Sequence, residues 1–195
     1  MREYIPKSAK TIPNNAEMVF RGVIFDVYQW PQTMFDGSTE IFEMLRRPDT
    51  VKIIAIKGDK IIITKQRQPR KDWFYTYPGG RIDPTDQNEL AAAKRELREE
   101  TGMEFQNYKL IDATQPFSKI DWLVYTFVAT DFVKQGAQKL DAGEDIQILE
   151  LSFQEFWDYV NDPEADYLRF DFPGFDQIKN IQDFVNLPEI HKYQN

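Results

Sequence analysis

The 195-residue chain contains no cysteine and a single histidine, His191. Without cysteine there are no thiol nucleophiles, no cysteine–zinc sites and no disulfides, so redox chemistry says nothing about the compartment. His191 sits in a polar terminal tail, which leaves no histidine for a Ser-His-Asp or Cys-His mechanism. Long apolar runs are missing as well. Nothing approaches the ~18 apolar residues of a membrane helix, and no leader-like apolar segment follows Met1-Arg2-Glu3-Tyr4. A cytoplasmic protein with no membrane partner is therefore expected. An excess of positive charge is also lacking: 24 Lys and Arg stand against 32 Asp and Glu, a net charge of −8. That balance argues against nucleic acid as a main partner. There is no internal repeat and no low-complexity segment. With 42% hydrophobic and 14% aromatic residues the composition is globular, and the length suits one domain with a smaller attached element.

What the chain does have is a dense stretch at residues 79–103. Two glycines, Gly79 and Gly80, feed a segment of helical periodicity expected to run over residues 87–101. Asp86 with Glu89 reads as a capping box at its start, and Gly102 occupies the place of a left-handed C-terminal cap. On such a helix Glu89, Glu96 and Glu100 share a stripe with Glu99 beside it, next to an apolar stripe of Leu90, Ala93 and Leu97. A solvated acidic face is a poor account of this. The negative end of the helix dipole disfavours each carboxylate in the last turn by about 0.3–1 kcal/mol, and Glu96 repels Glu100 at i, i+4. Arg95 and Arg98 offset part of that repulsion, and a divalent cation is the simplest further compensation. Hard oxygen ligands suit magnesium, with manganese as the alternative.

At these residues the sequence resembles the Nudix hydrolases, whose box is Gly-x5-Glu-x7-Arg-Glu-U-x-Glu-Glu-x-Gly-U, with U an aliphatic or similar residue. Arg95-Glu96-Leu97-Arg98-Glu99-Glu100-Thr101-Gly102-Met103 matches every fixed position of its second half. In the first half Gly80 lies fifteen residues before Arg95 instead of fourteen, as if the loop held one extra residue, so either Asp86 or Gln87 occupies the first Glu position. The resemblance implies an α+β fold, an α/β/α sandwich around a mixed sheet. It further implies a metal site of Glu96, Glu99, Glu100 and the Gly79 carbonyl, with Glu99 and Arg95 in the catalytic set.

Ahead of the box, strand-type residues at 18–30, an Asp36-Gly37 turn and a second strand at 40–45 form an antiparallel unit. A similar N-terminal sheet lies at the dimer interface of the ADP-ribose pyrophosphatases, a Nudix branch, so residues 1–48 are expected to be a loosely held arm (1–16) plus a β extension that makes a homodimer. Residues 49–195 are then the hydrolase domain, closed by a C-terminal helix. Apolar runs at 51–56 and 60–65 flank a Lys57-Gly58-Asp59 turn as a buried hairpin. Next come basic residues and then aromatics, and Gln66, Arg67 and the run into Pro78 resemble the same branch. Arg67, Arg70, Tyr75 and Arg81 are the expected substrate contacts. Pro116 resembles a proline of that branch, but Phe117-Ser118 replaces the glycine and acidic residue that usually follow it. Strands are expected at 105–111, 122–129 and 146–151, then a helix capped by Ser152 with Glu155, an aromatic connection over 162–174, and a terminal helix over 176–186.

The activity implied is metal-dependent attack of water on a phosphoanhydride, with a nucleoside diphosphate linked to a sugar as substrate, ADP-ribose first. A nucleoside-triphosphate or capped-RNA pyrophosphatase is a second enzyme reading, and a nucleotide sensor without turnover a third. The base must come from elsewhere, since histidine is unavailable and metal-bound carboxylates are committed. The acidic loop at 141–145, with Gly136 and Gly143 to let it move, resembles the loop that supplies the base in ADP-ribose pyrophosphatases. Glu144 is the candidate, with Asp141 and Asp145 as competitors.

Overall fold

The computed structural model describes residues 2–162 and 175–190. Its frame is the hairpin of β4 (Thr50–Lys57) and β5 (Lys60–Gln68), joined through Gly58 at φ 63. Ile53, Ile54, Ile61, Ile62 and Ile63 are fully buried, so both strands are covered on both faces and must be central. The sheet grows from them in the order β10 (Asp145–Leu151), β5, β4, β9 (Val124–Gln135), β7 (Met103–Thr114), and β6 (Lys71–Thr76) also pairs with β5. β4 and β9 run parallel and the other pairs antiparallel, which makes the sheet mixed.

One face packs against α1 (Glu89–Thr101), whose Ala92, Ala93 and Leu97 meet Val51, Ile53, Ala55 and Ile62. Burial of Leu97 alone contributes about 2 kcal/mol. The other face, with Ile54, Ile61 and Ile63, packs against Phe156 of α2 (Phe153–Asn161) and Phe184 of α3 (Ile181–Asn186). The arrangement is the expected α/β/α sandwich. Ahead of it, β1 (Glu17–Arg21), β2 (Asp26–Thr33) and β3 (Thr39–Arg46) form an antiparallel extension, completed by the short parallel β8 (Ile120–Asp121).

Several expectations are corrected. The 18–30 run is two strands, because the chain turns at Gly22, whose N–H donates to the Phe25 carbonyl. Residues 2–16 are not a loose arm: the Arg2 guanidinium bonds Asp49 and Asp121, and Ile12 is buried. α1 starts at Glu89 under an Asn88 cap, with Asn88 Oδ1 accepting from Ala91 N–H at 2.9 Å, so Asp86 and Glu89 form no capping box. β9 runs on to Gln135, past the expected strand end at 129. The terminal helix is α3 alone, preceded by a short 3-10 turn at Phe175–Gln177. Most of the aromatic connection, residues 163–174, and His191 lie outside the described residues.

Candidate active site

The last turn and a half of α1 forms one wall of a cleft of about 660 Å³. Glu96, Glu99 and Glu100 line it together with Gly79, Gly80, Arg81 and Arg95. The glycines are there because β4 and the Glu96 carboxylate come so close. Gly79 sits at φ 152, where a Cβ would lie 2.1 Å from the Val51 carbonyl, and its N–H donates to Glu100 Oε2 at 2.8 Å. A Cβ on Gly80 would lie 2.6 Å from the Glu96 carboxylate.

Arg95 organises the acidic wall. Its Nη1 donates to Glu96 at 2.9 Å and to Glu99 at 3.0 Å, and its Nη2 to the Arg81 carbonyl at 2.8 Å. Nε and Nη2 grip both Asp86 oxygens at 3.0 and 2.8 Å. Between the two candidates for the first Glu position, Asp86 is therefore the one that partners Arg95, while Gln87 is exposed.

One guanidinium cannot balance this wall. Burial pushes the Glu96 carboxyl up to about 7, with Arg95 pulling it down and the charges of Glu99 and Glu144 adding to the rise. Glu100, 3% exposed, is pushed well above the ordinary carboxylate range by burial first and then by Glu96 and Glu144. Both shifts mark carboxylates deprived of water and short of positive charge. An all-oxygen donor set in that condition fits a divalent cation. Among the described residues no three acidic groups are already gathered as a ligand cluster, and Arg95 holds Glu96 and Glu99.

The acidic loop closes the cleft. Lys139 N–H and the Gln138 side chain donate to the Glu99 and Glu100 carbonyls at 2.8 and 2.6 Å, docking the loop on the C-terminal end of α1. Glu144 and Asp141 both line the cleft, and Glu144 Oε2 accepts from Asp141 N–H at 3.1 Å. Asp145 does not: it pairs with Arg67 at 2.7 Å.

Three of the four expected substrate contacts are not brought to the cleft. In the β5–β6 ladder Gln66 faces Phe74 and Thr64 faces Thr76, and Gln66, Phe74 and Thr76 line the cleft. Arg67 and Tyr75 alternate to the opposite face, where Arg67 lies over Trp73 at 5.0 Å and Tyr75 packs on Tyr159 at 4.6 Å. Arg70 sits in the turn at φ 68, outside the cleft lining. Of the four, Arg81 lines the cleft.

Sequence reasoning missed Arg47, Lys71 and Lys139, which also line the cleft. Arg47 lies over Trp122 at 4.4 Å and near Phe25 at 5.8 Å, and its buried Nε has no hydrogen-bond partner. Burial and then the neighbouring Arg81 pull its pKa below the ordinary guanidinium value. Neither Arg47 nor Arg81 has an ion pair among the described residues. Counting alternation from Gln66 would have found the β5–β6 lining, but no local signal marked Arg47.

The Nudix-domain family model matches residues 46–171, a span that includes the whole acidic wall and its loop. The chain belongs to the Nudix family. It is accordingly a hydrolase of phosphoanhydride bonds, of a class that generally uses divalent metals. The chain is 30% identical, over 158 residues, to a protein from Bacillus methanolicus named methanol dehydrogenase activator, a match that covers 78% of this Nudix chain and 83% of that one. Its fold is similar to that in the crystal structure of an ADP compounds hydrolase, with a TM-score of 0.62 and 22% identity over 82% of this chain and 88% of that one. No helix among the described residues is long and apolar enough to cross a membrane.

Proposed function

We propose that this Nudix chain is a magnesium-dependent pyrophosphatase of nucleoside diphosphates linked to a sugar, with ADP-ribose the first candidate and AMP and ribose 5-phosphate the products. The observation that carries this reading is the meeting of four carboxylates, Glu96, Glu99, Glu100 and Glu144, with two unpaired arginines in one cleft. Glu96, Glu99, Glu100 and the Gly79 carbonyl would hold the metal, manganese being able to replace magnesium. A bound divalent ion supplies charge neutralisation on the diphosphate and a lower pKa for water. Arg47 and Arg81 bind the phosphoryl oxygens, as guanidinium groups do where two donors face one anion. Arg95 keeps the acidic wall in place. Glu144 takes the proton as the water oxygen bonds to phosphorus and the bridging P–O bond breaks.

The complete carboxylate set favours turnover over a nucleotide sensor, and the net charge of −8 disfavours capped RNA. Incubating the pure chain with magnesium and ADP-ribose, other nucleotide sugars, nucleoside triphosphates or capped RNA, then identifying products, tests the assignment. Cleavage of triphosphates alone would overturn it. The relative's name motivates a second reading, activation of a dehydrogenase, carried by 30% identity across most of both chains. A methanol dehydrogenase whose rate is unchanged on adding this protein would end that reading.

Residues 1–48 act in the same proposal as a dimerisation unit. Val19, Phe20 and Ile41 are exposed on the strands of the N-terminal sheet and Val23 in the turn between β1 and β2, apolar surface that a second copy would cover. A fully active monomer in sedimentation at micromolar concentration would remove this part.

A further inference from the structure

The glycine loop between β6 and α1 carries Gly79, Gly80, Arg81 and Asp86, and it holds one residue more than the Nudix box allows. Its two ends rest on different supports. At the start, Val51 N–H donates to the Gly80 carbonyl and Ile82 N–H to the Asp49 carbonyl, at 2.9 and 2.8 Å. At the end the chain passes into the Asn88 cap and Glu89, the first residue of α1.

Residues 2–4 grip both supports. Arg2 Nε and Nη2 take the two Asp49 oxygens at 2.6 and 2.7 Å, while Nη1 reaches Asp121 at 2.6 Å. The N–H groups of Glu3 and Tyr4 both donate to Glu89 Oε1, at 2.6 and 3.3 Å, and Asn88 Nδ2 donates to the Glu3 carboxylate at 2.8 Å. Tyr125 OH closes the set by donating to the Tyr4 carbonyl at 2.8 Å. Glu89 is only 5% exposed, so without these backbone donors it would be a buried carboxylate short of partners. Tyr4 and Ala9 add apolar contact to the core under α1.

We propose that residues 2–4 are a positioning strap for catalysis. By holding Asp49 and Glu89 together they fix both ends of the lengthened glycine loop. That sets Arg81 and the Asp86–Arg95 pair in register with the carboxylates of α1. None of the strap residues touches the reacting atoms. The strap matters because a site of this kind loses about a hundredfold in rate when its groups move by roughly 1 Å.

The effect on turnover rests on the pyrophosphatase reading, whereas the effect on the loop does not, so the two are measured separately. The variants are Arg2→Ala, Arg2→Lys and Glu89→Leu, which removes the acceptor of the Glu3 and Tyr4 N–H groups, each compared with the parent at a temperature where circular dichroism shows it folded. Amide hydrogen exchange is followed over residues 79–88 and over α2. For Arg2→Ala and Glu89→Leu, exchange in the loop should rise about tenfold or more while α2 keeps its protection. With magnesium and ADP-ribose, kcat should fall about 10- to 100-fold, and Arg2→Lys, which keeps the charge but loses the two-pronged grip, should lie between. A chain lacking residues 1–8 should regain turnover when a peptide of those residues is added. Parental loop exchange in both variants overturns the proposal, as does equal loss of protection in loop and α2, which would make the arm a strut for the whole fold. If the parent cleaves no substrate the function is wrong, and loop exchange still decides the strap.

Discussion

Arg47→Met separates binding from stability at an arginine whose environment is unfavourable. The parent side chain is held over Trp122 with Nε buried and unbonded, and with Arg81 beside it. An unsatisfied buried donor costs about 1–3 kcal/mol. Stacking over Trp122 returns about 0.5–2 kcal/mol, and a methionine sulfur on the same ring would recover about 0.3–1.5 kcal/mol of it. The variant should therefore be about 1–2 kcal/mol more stable than the parent in urea unfolding. Activity should move the other way. Loss of a charge-assisted hydrogen bond to a phosphoryl oxygen, worth about 1.5–3 kcal/mol, lowers kcat/KM roughly 10- to 150-fold. Paired urea melts and initial rates on ADP-ribose give both numbers from one preparation. A variant that loses more than about 2 kcal/mol of stability yet keeps parental kcat/KM would refute the reasoning, because Arg47 would then be a structural cation.

Glu144→Gln should lower kcat by about 10²–10⁴-fold with magnesium affinity nearly unchanged; a parental rate, with Asp141→Asn crippled instead, would move the base to Asp141. Glu100→Gln should lose at least about 3 kcal/mol of transition-state stabilisation while the fold survives, since the amide keeps an acceptor for Gly79 N–H, and full turnover of the parent in a chelator would contradict the metal assignment. Asp121 governs acid stability. Burial raises its pKa, but hydrogen bonds from Arg46 and Arg2 outweigh that and hold it below the ordinary carboxylate value. Its stabilisation is thus fully present above about pH 4 and is lost as pH falls through the lowered folded value. Asp121→Asn should cost about 3–5 kcal/mol at neutral pH and flatten the acid limb of stability, and an unchanged limb in pH-dependent urea melts would count against it.

Local chemistry was legible wherever its partners lie within a few residues. Gly102 ends α1 in the left-handed region, with its N–H on the Arg98 carbonyl, and Ser152 and Glu155 form the capping box that their spacing announces. The hairpin of β4 and β5 and the two-sided burial of β5 also follow from short apolar runs. The start of α1 misled for a physical reason. Asp86 has the spacing of a cap, but its two oxygens are better used by Arg95, nine residues on, and capping falls to Asn88. The N-terminal arm was illegible because its partners, Asp49 and Asp121, lie 47 and 119 residues away.

In the site, the α1 carboxylates were readable because a helix of known phase places them without reference to anything else, whereas the substrate side depended on which face of a strand points inward. A shift of one residue exchanges those faces, and it exchanged Arg67 for Gln66 and Tyr75 for Phe74. A deeper difference separates Arg67 from Arg47. Both are arginines beside an aromatic ring, and nothing in the sequence ranks one above the other. Folding gives Arg67 a carboxylate, Asp145, at 2.7 Å, which neutralises it as an anion receptor. Folding gives Arg47 two rings, a neighbouring cation and, among the described residues, no ion pair, so its charge remains available to a phosphate. Basic residues mark an anion site only where the tertiary structure leaves them uncompensated, and pairing across 78 residues of chain is invisible to any window of sequence.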